Sequence, residues 1–308
     1  MSADRVESAG FVSFLEGPAE GPDGAIYFSD IKANQLLRRS SEGEISVFRS
    51  PSGRANGNVF DLDGRLVTCE GSEYGPGGGR RIVRTDLATG ELSIVTDRFA
   101  GGRYNSPNDV TVDGRGRIFF TDPCYNNHTP LEQDAEAVYR VDPDGAVERV
   151  VEQPAIQRPN GVAVAPDDSE LYVVDSNHTP GGNRKLWAFS LDDTGRARDQ
   201  RLLWDFAPGR GGDGVEVAAD GTLFVCAGIR SPRSPGETNL YPPGVYLLSR
   251  EGAGEEYIPV PEDVISNCCF AGDDLRTLVV TCGRTLYSVR GVRPGYHAFP
   301  CARTPAAA

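Results

Sequence analysis

Six residues with a side-chain oxygen stand at matching positions along this 308-residue chain. A seven-residue motif recurs six times, and each of the six residues precedes its copy by eight positions, or by nine where the intervening turn is longer. Asn and Asp are common turn residues, so one such position alone is weak evidence of a site. Glu is not a turn former, and six oxygens in one register favour a shared ligand over turn chemistry. The residues are Glu16, Asn56, Asn108, Asn160, Asp213 and Asn267.

The side-chain oxygens of these six residues are suited to binding a divalent cation. Two carboxylates balance a 2+ charge, and amide oxygens complete an oxygen-only set that favours Ca²⁺ over Mg²⁺. Zinc prefers sulfur and imidazole, and the three histidines (His128, His178 and His297) lie outside the register. We therefore expect one divalent metal ion as cofactor, with Ca²⁺ as the first choice and Zn²⁺, Mg²⁺ or Mn²⁺ as alternatives.

The recurring motif pairs a β-rich run with a small or polar last residue. Its copies begin at intervals of 40, 52, 53, 52 and 55 residues. A period of about fifty residues is typical of one four-stranded blade of a β-propeller. The copies are GAIYFSD (24–30), GRLVTCE (64–70), GRIFFTD (116–122), SELYVVD (169–175), GTLFVCA (221–227) and RTLVVTC (276–282).

Alternating apolar and polar residues around each copy, bounded by Gly, Pro and Asp, indicate antiparallel hairpins. The sequence thus predicts an all-β, six-bladed propeller of four-stranded antiparallel blades, as a single domain over 1–308. The blades should begin near residues 16, 56, 108, 160, 213 and 267, with a tail at 291–308. The innermost strands of a propeller ring one mouth of its channel, so the six oxygens should converge there. The fourth strand of blade six could come from residues 295–305 or from residues 6–14.

Composition excludes several function classes. The net charge of −13 leaves no basic footprint for nucleic acid. No apolar run reaches the ~18–20 residues of a membrane span, and the first residues carry no secretory signal, so we expect a cytoplasmic protein. The seven cysteines are odd in number and lack zinc-site spacing, which favours free thiols in a reducing compartment. Oligomeric state stays open.

Five segments of the chain, which together contain all of the six oxygen-bearing residues except Asn56, resemble the senescence-marker/gluconolactonase family. This family includes regucalcin and bacterial gluconolactonases. The resemblance covers roughly residues 12–290 in order and implies a six-bladed propeller that binds one divalent metal. By the same resemblance the ligands are Glu16, Asn108, Asn160 and Asp213, without Asn56 and Asn267. The segments are LEGP (15–18), NSPNDVTVD (105–113), RPNGVAVAPD (158–167), GGDGVEV (211–217) and SNCCFAG (266–272).

One departure concerns the substrate. Regucalcin-like members carry an Arg that contacts sugar hydroxyls where this chain has Ser106, followed by Pro107. The NSPND form is similar to the bacterial gluconolactonase branch, which implies a small sugar lactone whose identity stays open. A Pro-rich segment at 230–244, between the second and third strands of blade five, should lie over one face and shape the pocket.

The resemblance implies hydrolysis in which the metal polarises the lactone carbonyl and activates water. Asp213 is the first candidate for the general base, although a carboxylate that binds a cation is a weak base. Asp109 is the second, with the orientation of a ligand as its alternative role. Asn56, Asn105 and Tyr104 are expected to contact substrate, with a plain loop role open for the last two. The alternative functions are a metal-dependent phosphotriesterase of the diisopropyl-fluorophosphatase type and a non-catalytic Ca²⁺-binding propeller.

Overall fold

The computed structural model describes residues 12–125 and 130–299, and these ranges contain strands and turns but no α-helix. Blades one to three comprise β1 (Leu15–Glu20), β2 (Ile26–Asp30), β3 (Gln35–Arg39), β4 (Ile45–Arg49); β5 (Ala55–Phe60), β6 (Leu66–Glu70), β7 (Arg81–Thr85), β8 (Leu92–Thr96); and β11 (Val110–Val112), β12 (Ile118–Asp122), β13 (Ala137–Val141), β14 (Val147–Glu152). A small hairpin, β9 (Arg98–Phe99) and β10 (Gly102–Arg103), lies between blades two and three.

Blades four to six comprise β15 (Pro159–Val164), β16 (Glu170–Ser176), β17 (Arg184–Leu191), β18 (Ala197–Asp205); β19 (Gly212–Val217), β20 (Leu223–Ala227), β21 (Gly244–Leu248), β22 (Gly254–Pro259); and β23 (Ile265–Ala271), β24 (Thr277–Cys282), β25 (Thr285–Arg290). Within each blade, consecutive strands pair antiparallel. Among the described residues no helix has the length and apolar character needed to cross a bilayer.

The ring closes between the first and last blades. The innermost strand of each blade contacts that of the next, and β1 packs against β23. The amide of Leu15 also donates to the carbonyl of Gly283 at 2.8 Å. The predicted six-bladed propeller is confirmed, and in the described ranges blade six contributes three strands where the other blades contribute four.

The chain after β25 crosses one end of the channel instead of adding a strand to blade six. Gly295 pairs with Ala218 of blade five, and a ring nitrogen of His297 lies 2.8 Å from the carbonyl oxygen of Phe270. Residues 296–299 line a cavity at this end. Residues 6–11 and 300–305, the remaining candidates for a fourth strand, lie outside the described residues.

The hydrophobic core lies between neighbouring blades. Between blades two and three, for example, Cys69 packs in one buried cluster with Phe120 and Tyr139. Six cysteines are described, all six are buried, and no two of them form a disulfide. This agrees with the expectation of a reduced protein, while Cys301, like His128, lies outside the described residues. Because packing between blades stabilises the ring, side chains at the channel mouth are available for binding.

Candidate functional site

The last residue of three motif copies holds the chain just before the neighbouring innermost strand. Each carboxylate accepts a hydrogen bond from a backbone amide two residues before a predicted ligand. Through these bonds the repeated motif holds Glu16, Asn108 and Asn160 at the entries of the innermost strands. The three bonds are Phe14 to Asp30 at 3.1 Å, Ser106 to Asp122 at 2.7 Å and Arg158 to Asp175 at 2.8 Å.

The six residues of the oxygen register are called the ring residues below, and glycine follows four of them. Glycine is needed there because the innermost strands approach each other closely around the axis. A Cβ on Gly161 would lie 2.4 Å from the carbonyl oxygen of Asp213. A Cβ on Gly214 would lie 2.2 Å from Oδ1 of Asn267. No side chain fits at such a distance, so glycine is required for the ring to close this tightly.

Five of the six ring residues line one cavity of about 230 Å³ at one mouth of the channel. Their side chains are buried, with at most 6% of each residue exposed. The four predicted ligands are among them, together with the predicted substrate contact. The five are Glu16, Asn56, Asn108, Asn160 and Asp213.

Asn267 does not line this cavity, which corrects the expectation that all six oxygens converge. In blades four and five, Asn160 and Asp213 lie in two-residue β-bulges, outside the regular pairing. In blade six only Ser266 is bulged, and Asn267 returns to the ladder opposite Thr281. The side chain of Asn267 instead donates from Nδ2 to Oδ1 of Asp109 at 3.2 Å.

Negative charge is crowded at the cavity. Burial, followed by the charges of Asp213 and Asp109, raises the pKa of Glu16 well above its usual range. Burial also raises the pKa of Asp213, and the guanidinium of Arg210 partly opposes this. Arg210 and Asp213 form an ion pair with Nη2 and Oδ2 3.0 Å apart. A bound cation would relieve the repulsion that these buried carboxylates share.

The donor atoms suit a hard cation. Among the described residues no cluster of three or more His, Cys, Asp and Glu could hold a metal ion, so a cation here would need further oxygen ligands, which the amide side chains of Asn108 and Asn160 offer. Oδ1 of Asn56 is buried in the same cavity and has no hydrogen-bond partner. A buried acceptor of this kind needs a partner, which a ligand in the cavity can provide. The residues therefore fit a divalent cation with oxygen ligands.

Asp109 lies beneath the cavity and holds strands together. Its Oδ2 accepts the amide of Val162 at 3.1 Å, and its Oδ1 accepts Nδ2 of Asn267 at 3.2 Å. Burial raises its pKa to about 7. Asp109 is absent from the cavity lining. Its two carboxylate hydrogen bonds join strands and reach none of the four predicted ligands, so its role in orienting a ligand stays a prediction.

Two predicted substrate contacts lie elsewhere. The ring of Tyr104 is fully buried, packs edge-on against Phe120, and its hydroxyl lies 2.8 Å from Oγ1 of Thr96. The side chain of Asn105 donates to the carbonyl oxygen of Ala135 at 3.2 Å. Neither residue lines the cavity. The expectation that Tyr104 and Asn105 contact substrate is therefore corrected: one is a core residue and the other supports a loop.

Several residues of the cavity wall were missed from the sequence because they come from loops rather than from the repeat. The predicted contribution of the Pro-rich segment is confirmed, since three of its side chains reach the cavity. For Glu73 and Tyr74 the sequence held one signal, the Gly-rich segment EGSEYGPGGGR at 70–80, which is longer than a tight hairpin needs. The added wall residues are Glu73, Tyr74, Tyr125, His178, Arg210, Arg233, Ser234 and Glu237.

Comparisons with known proteins agree on one family. The model of the SMP-30/Gluconolactonase/LRE-like region matches residues 14–284. A gluconolactonase of Zymomonas mobilis is 29% identical, with 91% of this chain and 79% of the relative covered. Regucalcin of Bos taurus is 27% identical, with 89% and 84% covered. The solved structure of a gluconolactonase from Xanthomonas campestris has a TM-score of 0.76 at 30% identity, with 91% and 86% covered.

Proposed function

The chain belongs to the SMP-30/gluconolactonase/LRE-like family, and from this premise we propose that it is a metal-dependent hydrolase that opens a small sugar lactone. Relatives named gluconolactonase support the class of reaction. The observation that carries the metal dependence is the grouping of Glu16, Asn108, Asn160 and Asp213 around one cavity. Their oxygens would hold the ion, with Ca²⁺ as the first candidate.

A bound divalent cation supplies polarisation of a carbonyl oxygen and a lower pKa for water. The chain supplies the surroundings. Oδ1 of Asn56 is positioned to accept a hydrogen bond from a substrate hydroxyl, since it has no partner of its own. Burial and nearby arginines lower the pKa of His178 to about 3, so its ring is neutral near pH 7. A neutral imidazole can donate and accept hydrogen bonds, which suits recognition of sugar hydroxyls.

Aromatic side chains form part of the cavity wall. Tyr125 is held by two hydrogen bonds, as donor to the carbonyl of Ser176 at 3.2 Å and as acceptor from Nδ2 of Asn160 at 3.0 Å. His178 packs against its ring with centroids 5.9 Å apart. Apolar ring faces beside the polar mouth give a sugar lactone one surface to stack on and another to hydrogen-bond.

The test is a panel of aldonolactones assayed beside a phosphotriester, before and after chelation. We expect lactone hydrolysis that chelator removes and that added Ca²⁺, Mg²⁺, Mn²⁺ or Zn²⁺ restores to different extents. Faster turnover of the phosphotriester would instead assign the site to that chemistry. Full lactonase rate in protein with no measurable metal would refute the metal dependence.

A further inference from the structure

Glu73 is a cavity carboxyl that the repeat does not supply. It lies on the blade-two loop, residues 71–80, between β6 and β7. Two hydrogen bonds fasten this loop to the segment before Asn108. The amide of Ser72 donates to Oγ of Ser106 at 2.9 Å, and the hydroxyl of Ser72 donates to the carbonyl of Asn105 at 3.2 Å. The backbone of Glu73 is therefore held in place beside the predicted metal ligands.

The other carboxylates near the cavity are already engaged. Glu16 is an expected ligand, and its Oε2 accepts the amide of Gly17 at 3.1 Å. Asp213 forms an ion pair with Arg210 and is an expected ligand. Oε2 of Glu237 accepts the amides of Arg233 and Ser234 at 2.6 and 3.2 Å. Asp109 lies beneath the cavity and bonds Val162 of blade four and Asn267 of blade six.

Glu73, by contrast, is only 8% exposed and lines the cavity. Its carboxylate has no hydrogen bond or ion pair with another residue in the described ranges. A carboxylate that binds a cation or pairs with arginine is a weak base. Among the cavity carboxylates, Glu73 alone has both oxygens available to a molecule in the cavity.

We propose that Glu73 is a catalytic residue, the group that moves the proton during lactone opening; this rests on the lactonase function proposed above. As water attacks the carbonyl carbon and forms the new C–O bond, Glu73 takes one water proton. As the ring C–O bond breaks, Glu73 returns that proton to the departing oxygen, which becomes a hydroxyl. The product is the open-chain hydroxy acid, which ionises by releasing a proton to solvent, and Glu73 ends as it began.

The electrostatics of the cavity suit this role. Burial, followed by the charge of Asp213, raises the pKa of Glu73 to about 7, with Arg158 opposing. A general base works best with a pKa near the working pH. Besides Arg158, the titratable groups that interact with Glu73 come from four elements around the cavity. They are Glu16 on β1, Tyr74 on the same loop, Cys124 and Tyr125 after β12, and Asp213 on β19.

The experiment compares Glu73→Gln and Glu73→Asp with wild type and with Glu91→Gln, a matched change at an exposed turn of the same blade. Lactone hydrolysis is followed from pH 5.5 to 8.5 after subtraction of the spontaneous rate, and Ca²⁺ affinity is titrated. We expect Glu73→Gln to lower kcat by roughly 10²–10⁴-fold and to remove the pH dependence that ionisation of Glu73 gives to the wild-type rate. KM and Ca²⁺ affinity should hold within about threefold, and Glu73→Asp should retain part of the rate.

Three outcomes separate the possibilities. A Glu73→Gln enzyme within about threefold of wild type at every pH overturns this role and leaves the lactonase function intact. Loss of rate together with a loss of Ca²⁺ affinity of tenfold or more also overturns it, because Glu73 would then be a metal ligand. Wild-type protein that opens no lactone defeats the proposed function and, with it, this role.

Discussion

Nδ2 of Asn267 lies 3.2 Å from Oδ1 of Asp109, so a hydrogen bond joins blades six and three across the axis of the propeller. These blades are opposite in the ring. Asp109 is also one of the two residues after a ring position that are not glycine. The other carboxylate oxygen of Asp109 binds the amide of Val162 in blade four. One buried side chain thus connects three blades directly beneath the candidate site.

Mutations in the cavity and mutations of this hydrogen bond should therefore have different effects, the first on catalysis and the second on stability. Asp213→Asn should lower kcat by about 100-fold or more, because it removes one of the two carboxylates of the expected metal site. Asn56→Ala should act mainly on KM. Asn267→Ala should cost ~1–3 kcal/mol of stability, because it leaves a buried oxygen of Asp109 unpaired, with a smaller effect on kcat. Steady-state kinetics and urea unfolding of the three variants test this, and equal loss of kcat in all three would contradict it.

Added cation should stabilise the folded protein. A ligand that binds only the native state at a hundredfold excess over its dissociation constant adds about 3 kcal/mol, and here it also relieves the repulsion that raises the pKa of Glu16. Thermal melts with Ca²⁺ or chelator measure the effect. Chelation should stop lactone hydrolysis while the β-sheet circular dichroism persists, because packing between blades holds the ring. Immediate loss of that signal would make the ion structural and favour the non-catalytic interpretation.

Arg210→Met should increase the stabilisation that Ca²⁺ provides. Without the guanidinium, Asp213 loses its ion-pair partner at 3.0 Å, and the cation-free protein should lose about 3 kcal/mol. Bound Ca²⁺ would then no longer share Asp213 with a competing charge. Melting temperatures with and without Ca²⁺, beside the exposed control Arg230→Met, measure this. A Ca²⁺-induced shift no larger than in wild type would count against it.

Gly161→Ala should destabilise the ring by ~1–3 kcal/mol through overpacking. The new Cβ would lie 2.4 Å from the carbonyl oxygen of Asp213, which is backbone and cannot rotate away. Gly254→Ala is the matched control, since its Cβ would meet only the side chain of Trp204, at 3.2 Å. Denaturant unfolding compares the two variants. Equal stability would show that the innermost strands are farther apart than the structure has them.

Stability of the cation-free protein should fall as pH rises from about 4 to 8. Burial, followed by the charge of Asp109, raises the pKa of Glu216 to about 8, whereas an unfolded Glu titrates near ~4.3. Between these values the native state binds the proton and the unfolded state does not, so the contribution is complete at low pH and lost through the folded pKa. Glu216→Gln should flatten melting temperatures between pH 5 and 8 relative to Glu91→Gln. An unchanged slope of melting temperature against pH would exclude Glu216 as a source of this pH dependence.

The sequence alone determined the architecture and most of the ring. Six motif copies at about fifty-residue intervals, each followed by hairpin alternation, predict six blades, because strand period and turn residues are local signals. The same spacing identified Glu16, Asn56, Asn108, Asn160 and Asp213, all of which line the cavity. Counting along the chain works here because each motif copy pairs with the innermost strand of its own blade.

Only the tertiary structure decided which side chains face the site. Asn267 has the right spacing, but its side-chain amide donates to Asp109 of blade three and does not line the cavity. Tyr104 is close in sequence to Asn108 yet lies in the core between blades two and three. Glu73 reaches the cavity because its loop bonds to the chain of another blade. Contacts between distant segments place these three residues, and spacing within one repeat does not contain that information.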